Sequence, residues 1–294
     1  MSHRIGILVI HGMGSQRPGY ADRLTASISS SLGRRSSRIV WQEIHWADAL
    51  LDREAQLGRD MDAAVTPLGA PVLLRWRRTR AFVVHNFGDA IAYHRDASSG
   101  SAYRLIHRVV SASIAALKHN LDDQAAPVVV LAHSLGGHIM SNYIWDRQHV
   151  SARQDADEFE ALPTLTSIIT FGCSIPLFSL SFDVAEPILL PSPELPDGAV
   201  RRMARWINVL DPDDVLAWPL RPLYARHADR LSGAQRETLA RIEDRLVDVG
   251  GLLTAWNPAS HTRYDSDDDL ARTIADHLDD VLDALDAAPI TGPA

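Results

Sequence analysis

The run Val128-Val129-Val130-Leu131 passes without a break into Ala132-His133-Ser134-Leu135-Gly136-Gly137, and apolar residues then recur at helical spacing. Four successive apolar, mostly β-branched residues suit a strand covered on both faces, the situation of a parallel sheet under helices. Strand gives way to helix across a tight turn centred on Ser134. Small residues at Ala132 and Gly136 let the two elements lie close, with the Ser134 hydroxyl projecting above the carboxyl end of the strand.

Short apolar runs recur at Ile5–Ile10, 38–44, 127–131, 166–171, 205–210 and, more weakly, 245–249. Helix-period stretches at 20–32, 67–94, 101–121, 136–148 and 267–287 separate them. Six strands alternating with helices predict an α/β fold, a mostly parallel sheet with helices on both faces. Two segments break the rhythm: 47–126 holds more helix than one crossover needs, and 173–198 is apolar and proline-rich. Neither is bounded by a Gly/Ser linker, so both read as cap insertions in a single domain over 1–287, and 288–294 reads as a frayed, flexible tail.

Composition narrows the partners. Lys and Arg number 29 against 37 Asp and Glu, a net charge of −8, so there is no global positive field for a phosphate backbone and nucleic acid is not an expected partner. With 46% hydrophobic residues the chain is globular rather than disordered. Its one cysteine, Cys173, builds no internal disulfide, and no CxxC or Cys/His cluster has zinc spacing. The apolar run at the start stops at His11-Gly12, too short for a secretory core, and the most apolar helical stretch carries Arg75, Arg77, Arg78 and Arg80. The expectation is a cytoplasmic protein without an integral membrane segment. Peripheral contact with a lipid surface and the oligomeric state stay open.

Two local motifs carry chemistry. The Ser134 turn is a nucleophile elbow. His11-Gly12-Met13-Gly14 directly follows the first strand, where glycines free the backbone to aim N–H groups outward. With the first strand beside the Ser134 strand, the Met13 and Leu135 amides would converge on a developing oxyanion, on a loop shaped by His11, Gly12 and Gly14. A phosphate-holding turn is the competing reading, but GxGxxG and the P-loop lysine are missing, and the chain's single lysine is Lys118.

On these residues the chain resembles the α/β-hydrolase superfamily, and more narrowly its lipase-like serine hydrolases, which carry HG after an early strand and (G/A)HSLGG at the elbow. The resemblance runs from Ile5 to about Leu278 with both insertions outside it. It implies an α/β-hydrolase fold whose six strands stand for the superfamily's third to eighth, and the chain order nucleophile, acid, histidine. The stretch 205–223 is similar to the N-x-x-x-P-x-D-P-V-A-x-x-x-x-P-L segment of intracellular phospholipases of the DDHD type. Matching Asn208, Pro212, Ala217, Pro222 and Leu223 places the acid at Asp214. Asp213 is the runner-up because Val215 stands where that family has proline, and Asp211-Pro212 reads as a turn in which the carboxylate caps its own backbone. Of the histidines after Asp214, His227 reads as exposed helix and His277 as part of the last amphipathic helix. His261 falls in the loop where the superfamily places its general base, within a Ser-His-x-x-Tyr string similar to that of lipase-like relatives.

The resemblance thus implies a carboxylic ester hydrolase acting through an acyl-serine intermediate on Ser134, with His261 as base, Asp214 as its partner and no cofactor or metal. A small-molecule ester or lipid is the expected substrate, with the 173–198 segment supplying much of the acyl pocket. The same triad serving acyl transfer, or thioester or amide cleavage, and an idle hydrolase-fold binding protein are the other readings. Several features read as structural: 265–269 as a helix N-terminus capped at Ser266 rather than a calcium loop, His133 and His138 as packing beside the turn, Cys173 as a buried thiol, and the arginines at 75–80 as a solvated helix face.

Overall fold

The computed structural model describes residues 3–65, 67, 69–70, 75–95, 100–122, 125–149, 158–249 and 260–287. Among them six strands, β1 (Ile5–Ile10), β2 (Ile39–Ile44), β3 (Val128–His133), β4 (Leu165–Phe171), β5 (Trp206–Leu210) and β6 (Ile242–Leu246), form one sheet in the order β2-β1-β3-β4-β5-β6. Every neighbouring pair is parallel. The helices are α1 (Asp22–Leu32), α2 (Leu51–Asp62), α3 (Arg77–Ala92), α4 (Ala102–Asn120), α5 (Leu135–His149), α6 (Ile175–Phe178), α7 (Ala199–Met203), α8 (Arg221–Ala225), α9 (Gly233–Ala240) and α10 (Asp268–Asp286). This is the α/β class that the sequence predicts, a parallel sheet with helices on both faces.

The inner strands are the apolar ones. Every residue of β1, β4 and β5 is buried, and so is every residue of β3 except the half-buried His133. Alternate residues serve opposite faces: Val128 and Val130 join Ile106, Val110, Ile114 and Leu117 of α4, while Val129 and Leu131 join Leu24 and Ile28 of α1 and Ile274 and Leu278 of α10. The edge strands read IVWQEI and IEDRL, polar enough to discourage pairing with a further chain.

That polarity displaced the sixth strand from its expected place. It lies at Ile242–Leu246 rather than 245–249, because an edge strand has no continuous apolar run to mark it. The apolar residues beyond it do a different job: the Val249 N–H donates to Asp211 Oδ2 at 2.8 Å, holding the turn after β5. The cap of α10 also differs. Asp267, not Ser266, accepts the Leu270 N–H, at 2.6 Å, and the Ser266 hydroxyl turns back to the Arg263 carbonyl.

Of the two insertions, 47–126 contains α2, α3 and α4. The helix expected over 67–94 is described from Arg77, and part of its leading stretch lies outside the described residues, as does the tail at 288–294. In 173–198 a single turn of helix is followed by irregular chain whose Ala185, Ile188 and Leu190 are buried in the core beneath α5.

Two buried histidines sit at joints between layers. His11, just past β1, accepts at Nε2 from the Trp46 and Ala47 amides at 3.1 and 3.3 Å, donates from Nδ1 to the Gly12 carbonyl at 2.8 Å, and stacks on the Trp46 ring. On α10, His277 Nε2 lies 2.8 Å from the Ser167 hydroxyl, which itself accepts the Arg205 N–H. Burial, above all, lowers both imidazoles to about 4, so the folded protein holds them neutral. The unfolded chain binds these protons below about pH 6.5 and the folded chain only near 4. Stability is therefore expected to be full above pH 6.5 and to drain as the pH falls, by on the order of 3 kcal/mol per histidine at the acid limit. Urea midpoints at pH 7.5, 6 and 5 measure this; an unchanged midpoint across that range contradicts it.

Candidate active site

The carboxyl ends of the strands form one rim. Because the chain builds β2 on one side of β1 and β3 on the other, the sheet has its topological switch point between β1 and β3, where open α/β sheets place their ligands. Ile10 is level with Ala132 across that boundary, so the turns leaving the two strands stand side by side.

Their contact explains the glycines. Ser134 has φ 50°, the left-handed conformation of a sharp elbow, and its N–H donates to the Phe171 carbonyl at 3.0 Å. A Cβ on Gly136 would lie 2.6 Å from the His11 carbonyl oxygen, and one on Gly12 would lie 2.7 Å from the Ser134 Cβ. Any larger residue at either position would push the two turns apart.

The structure brings Ser134, His261 and Asp214 together. His261 Nε2 is 2.7 Å from Ser134 Oγ and His261 Nδ1 is 2.8 Å from Asp214 Oδ2. With Nδ1–H donating to the carboxylate, Nε2 is left to accept the serine proton. All three are buried, Ser134 being 1% exposed. Asp214 Oδ1 accepts the Leu216 N–H at 3.0 Å and Oδ2 accepts the Tyr264 hydroxyl at 3.0 Å. Burial alone would raise this carboxyl, but the bonds from His261, Leu216 and Tyr264 outweigh it and hold Asp214 below the usual carboxylate range.

The acid's loop is braced at both ends. At its start Asp211 Oδ1 accepts the Asp213 N–H at 2.7 Å, the self-capped turn expected of Asp-Pro. At its far end buried Asn208 donates to the Trp218 carbonyl and to Asp244, whose carboxylate also takes the Leu220 and Arg221 amides at the start of α8. Asp213 itself is exposed to solvent.

The other expected site residues lie at the same rim. Leu135 is the first residue of α5, so its N–H has no acceptor within the helix. Met13 packs on the core and lines the cavity that His261 reaches, and Gly14, at φ 95°, turns the chain away. The His11 ring is held in its joint with Trp46 and also lines that cavity.

Sequence reasoning missed two supporting side chains. Tyr264 binds both aspartates of the loop, accepting the Asp211 N–H at 2.9 Å and donating to Asp214; the Ser-His-x-x-Tyr string was its signal. His133 does more than pack. Its Nε2–H donates to the His261 carbonyl at 2.9 Å, and burial, with His261 close by, lowers its imidazole to about 3. His138 stacks on Phe178, and burial pushes the Cys173 thiol up to about 12, away from reactive thiolate.

A cavity of about 420 Å³ reaches His261 and is lined by Met13, Leu24, Phe87, Phe171 and Val215. The structure corrects the expectation for 173–198. Ile175 and Phe182 line a different cavity, of about 300 Å³, along the His138, Asn142 and Trp145 face of α5. The apolar character of that segment goes into the core and this second cavity. Among the described residues no three His, Cys, Asp or Glu side chains gather as metal ligands, and no helix is long and apolar enough to cross a membrane.

No family model and no curated protein matches the chain. Among solved structures it is similar to the pyrethroid hydrolase PytH, at 12% identity over 94% of this chain and 98% of that one, with a TM-score of 0.35. It is also similar to the peroxisomal alpha-beta-hydrolase Lpx1 of Saccharomyces cerevisiae, at 11% identity over 100% of this chain and 79% of that one, with a TM-score of 0.37. Likeness at this level carries no weight for the chemistry.

Proposed function

We propose that this chain is a serine hydrolase of carboxylic esters with an apolar acyl group, built as one domain with 47–126 and 173–198 as caps. The observation that carries the reading is the unbroken line of hydrogen bonds from Asp214 through His261 to Ser134 at the carboxyl rim of the sheet. His261 takes the Ser134 proton as Oγ attacks the ester carbonyl, and Asp214 holds the ring tautomer and stabilises the imidazolium. The Met13 and Leu135 amides receive the oxyanion. His261 then protonates the departing alcohol, leaving an acyl-serine. In the second half His261 takes a proton from water, the hydroxide displaces Ser134 from the acyl carbon, and the proton returns to Ser134.

The cavity beside His261 supports the substrate class, since Leu24, Phe87, Phe171 and Val215 offer an acyl chain apolar surface. A fluorophosphonate probe is expected to label the folded protein, with the adduct mapping to Ser134 by peptide mass spectrometry. Turnover of p-nitrophenyl esters should rise from acetate to medium acyl chains. Folded protein that never takes the probe contradicts the enzyme reading; good turnover of acetate with poor turnover of every longer chain contradicts the apolar acyl group.

A further inference from the structure

One buried acid at this rim plays no part in the line from Asp214 to Ser134. Asp89 of α3 is 4% exposed, and its Oδ2 accepts the Gly14 N–H at 2.9 Å. Gly14 closes the turn that contains Met13, and the peptide whose N–H Asp89 holds is the one directly after the Met13 amide. Glu54 of α2 lies against Asp89 and accepts from His85 Nδ1 at 2.6 Å, so α2, α3 and the turn after β1 meet at one polar cluster.

We propose that Asp89 is the positioning residue of the oxyanion turn: by holding the Gly14 N–H it orients the 12–14 backbone so that the Met13 N–H faces the carbonyl attacked by Ser134. The inference rests on the proposed ester hydrolase function. Without this acceptor the Gly14 amide would have to find water or rotate, and rotation about that glycine swings the neighbouring peptide with it.

The charge state of Asp89 adds a pH dependence. The charged groups facing it are Glu54 from α2 and His85 one turn back on its own helix; from the turn after β1 it meets the Gly14 amide. Burial first, and Glu54 next to it, raise the Asp89 carboxyl to about 7 against the pull of the Gly14 amide. Protonated, Asp89 still accepts from Gly14 through its carbonyl oxygen. Ionised, it places a negative charge beside the turn that must receive another, which slows the reaction. Above pH 7 the wild type is therefore expected to lose rate about tenfold.

The test compares wild type, Asp89→Asn and Asp89→Ala for kcat and KM on a p-nitrophenyl ester from pH 5 to 9, with amide exchange at Gly14 followed by NMR. Asp89→Ala is expected to lower kcat by about 10- to 100-fold with little change in KM and to speed Gly14 exchange. Asp89→Asn keeps an acceptor and should retain kcat within about threefold at pH 6.5, while losing the decline above pH 7. An Asp89→Ala protein with normal kcat, or an Asp89→Asn protein that keeps the wild-type pH profile or is as slow as Asp89→Ala, overturns the proposal. Should Asp89→Ala fail to fold, the Asp89→Asn profile decides alone. A wild type that neither hydrolyses esters nor takes the fluorophosphonate overturns the functional reading instead. Gly14 exchange still tests the tether in that event, and fast exchange in wild type overturns it.

Discussion

Ser134→Ala is expected to lower ester turnover by about five to six orders of magnitude and to abolish fluorophosphonate labelling, with the fold intact. The size of the effect comes from the bond that can no longer form. Without Oγ there is no acyl-enzyme, and the oxyanion donors and the cavity retain only the modest acceleration that binding and polarisation supply to attack by water. Alanine keeps the Cβ that meets Gly12, and the backbone bonds from the Ser134 N–H to Phe171 and from Gly137 to the Ser134 carbonyl remain, so the elbow keeps its shape. Circular dichroism and melting should match wild type. Persistent labelling of a folded Ser134→Ala protein, or turnover within tenfold of wild type, would place the chemistry on another residue.

Asp214→Asn should cost about four orders of magnitude in kcat, the scale observed when a triad acid becomes its amide. The amide fills the same space and its oxygen, in the Oδ1 place, still accepts from Leu216. Its NH2 group, however, faces His261 Nδ1 as a donor and stabilises the tautomer with the proton on Nε2, leaving no base for the Ser134 hydroxyl. Asp213→Asn, at an exposed position of the same loop, should stay within about twofold of wild type. Kinetics of both variants on one ester at pH 7.5 separate the two residues. A mild loss at Asp214 with a severe one at Asp213 would move the acid by one position.

Most of the scaffold was legible because it is locally encoded. β1, β3, β4 and β5 are buried on both faces, so each is mostly apolar and announces itself, the buried polar Ser167, Thr170 and Asn208 being hydrogen-bonded. The elbow was legible for a related reason: Gly136 faces the His11 carbonyl and Gly12 the Ser134 Cβ at distances that no larger residue can satisfy. β6 lies three residues before the weak apolar run at 245–249 because an edge strand answers to solvent and has no continuous apolar run to mark it. The role of 173–198 was misread for the opposite reason. Apolar composition says that a segment is covered, not what covers it, and Ile188 and Leu190 are covered by the core.

The sequence by itself determined the inner strands, the strand–turn–helix unit at Ser134 and the glycine turn after β1, since each depends on residues within a few positions of one another. Only the tertiary structure decided which acid faces His261, that Tyr264 and His133 brace the acid and the histidine, that Asp89 reaches the Gly14 amide, and which cavity adjoins the site. Those pairings join residues separated by 50, 128 and 75 positions, and they are set by the order in which the strands stand in the sheet. Spacing along the chain carries no trace of that order, because buried strands of similar composition pair equally well until the crossovers and their packing choose among them.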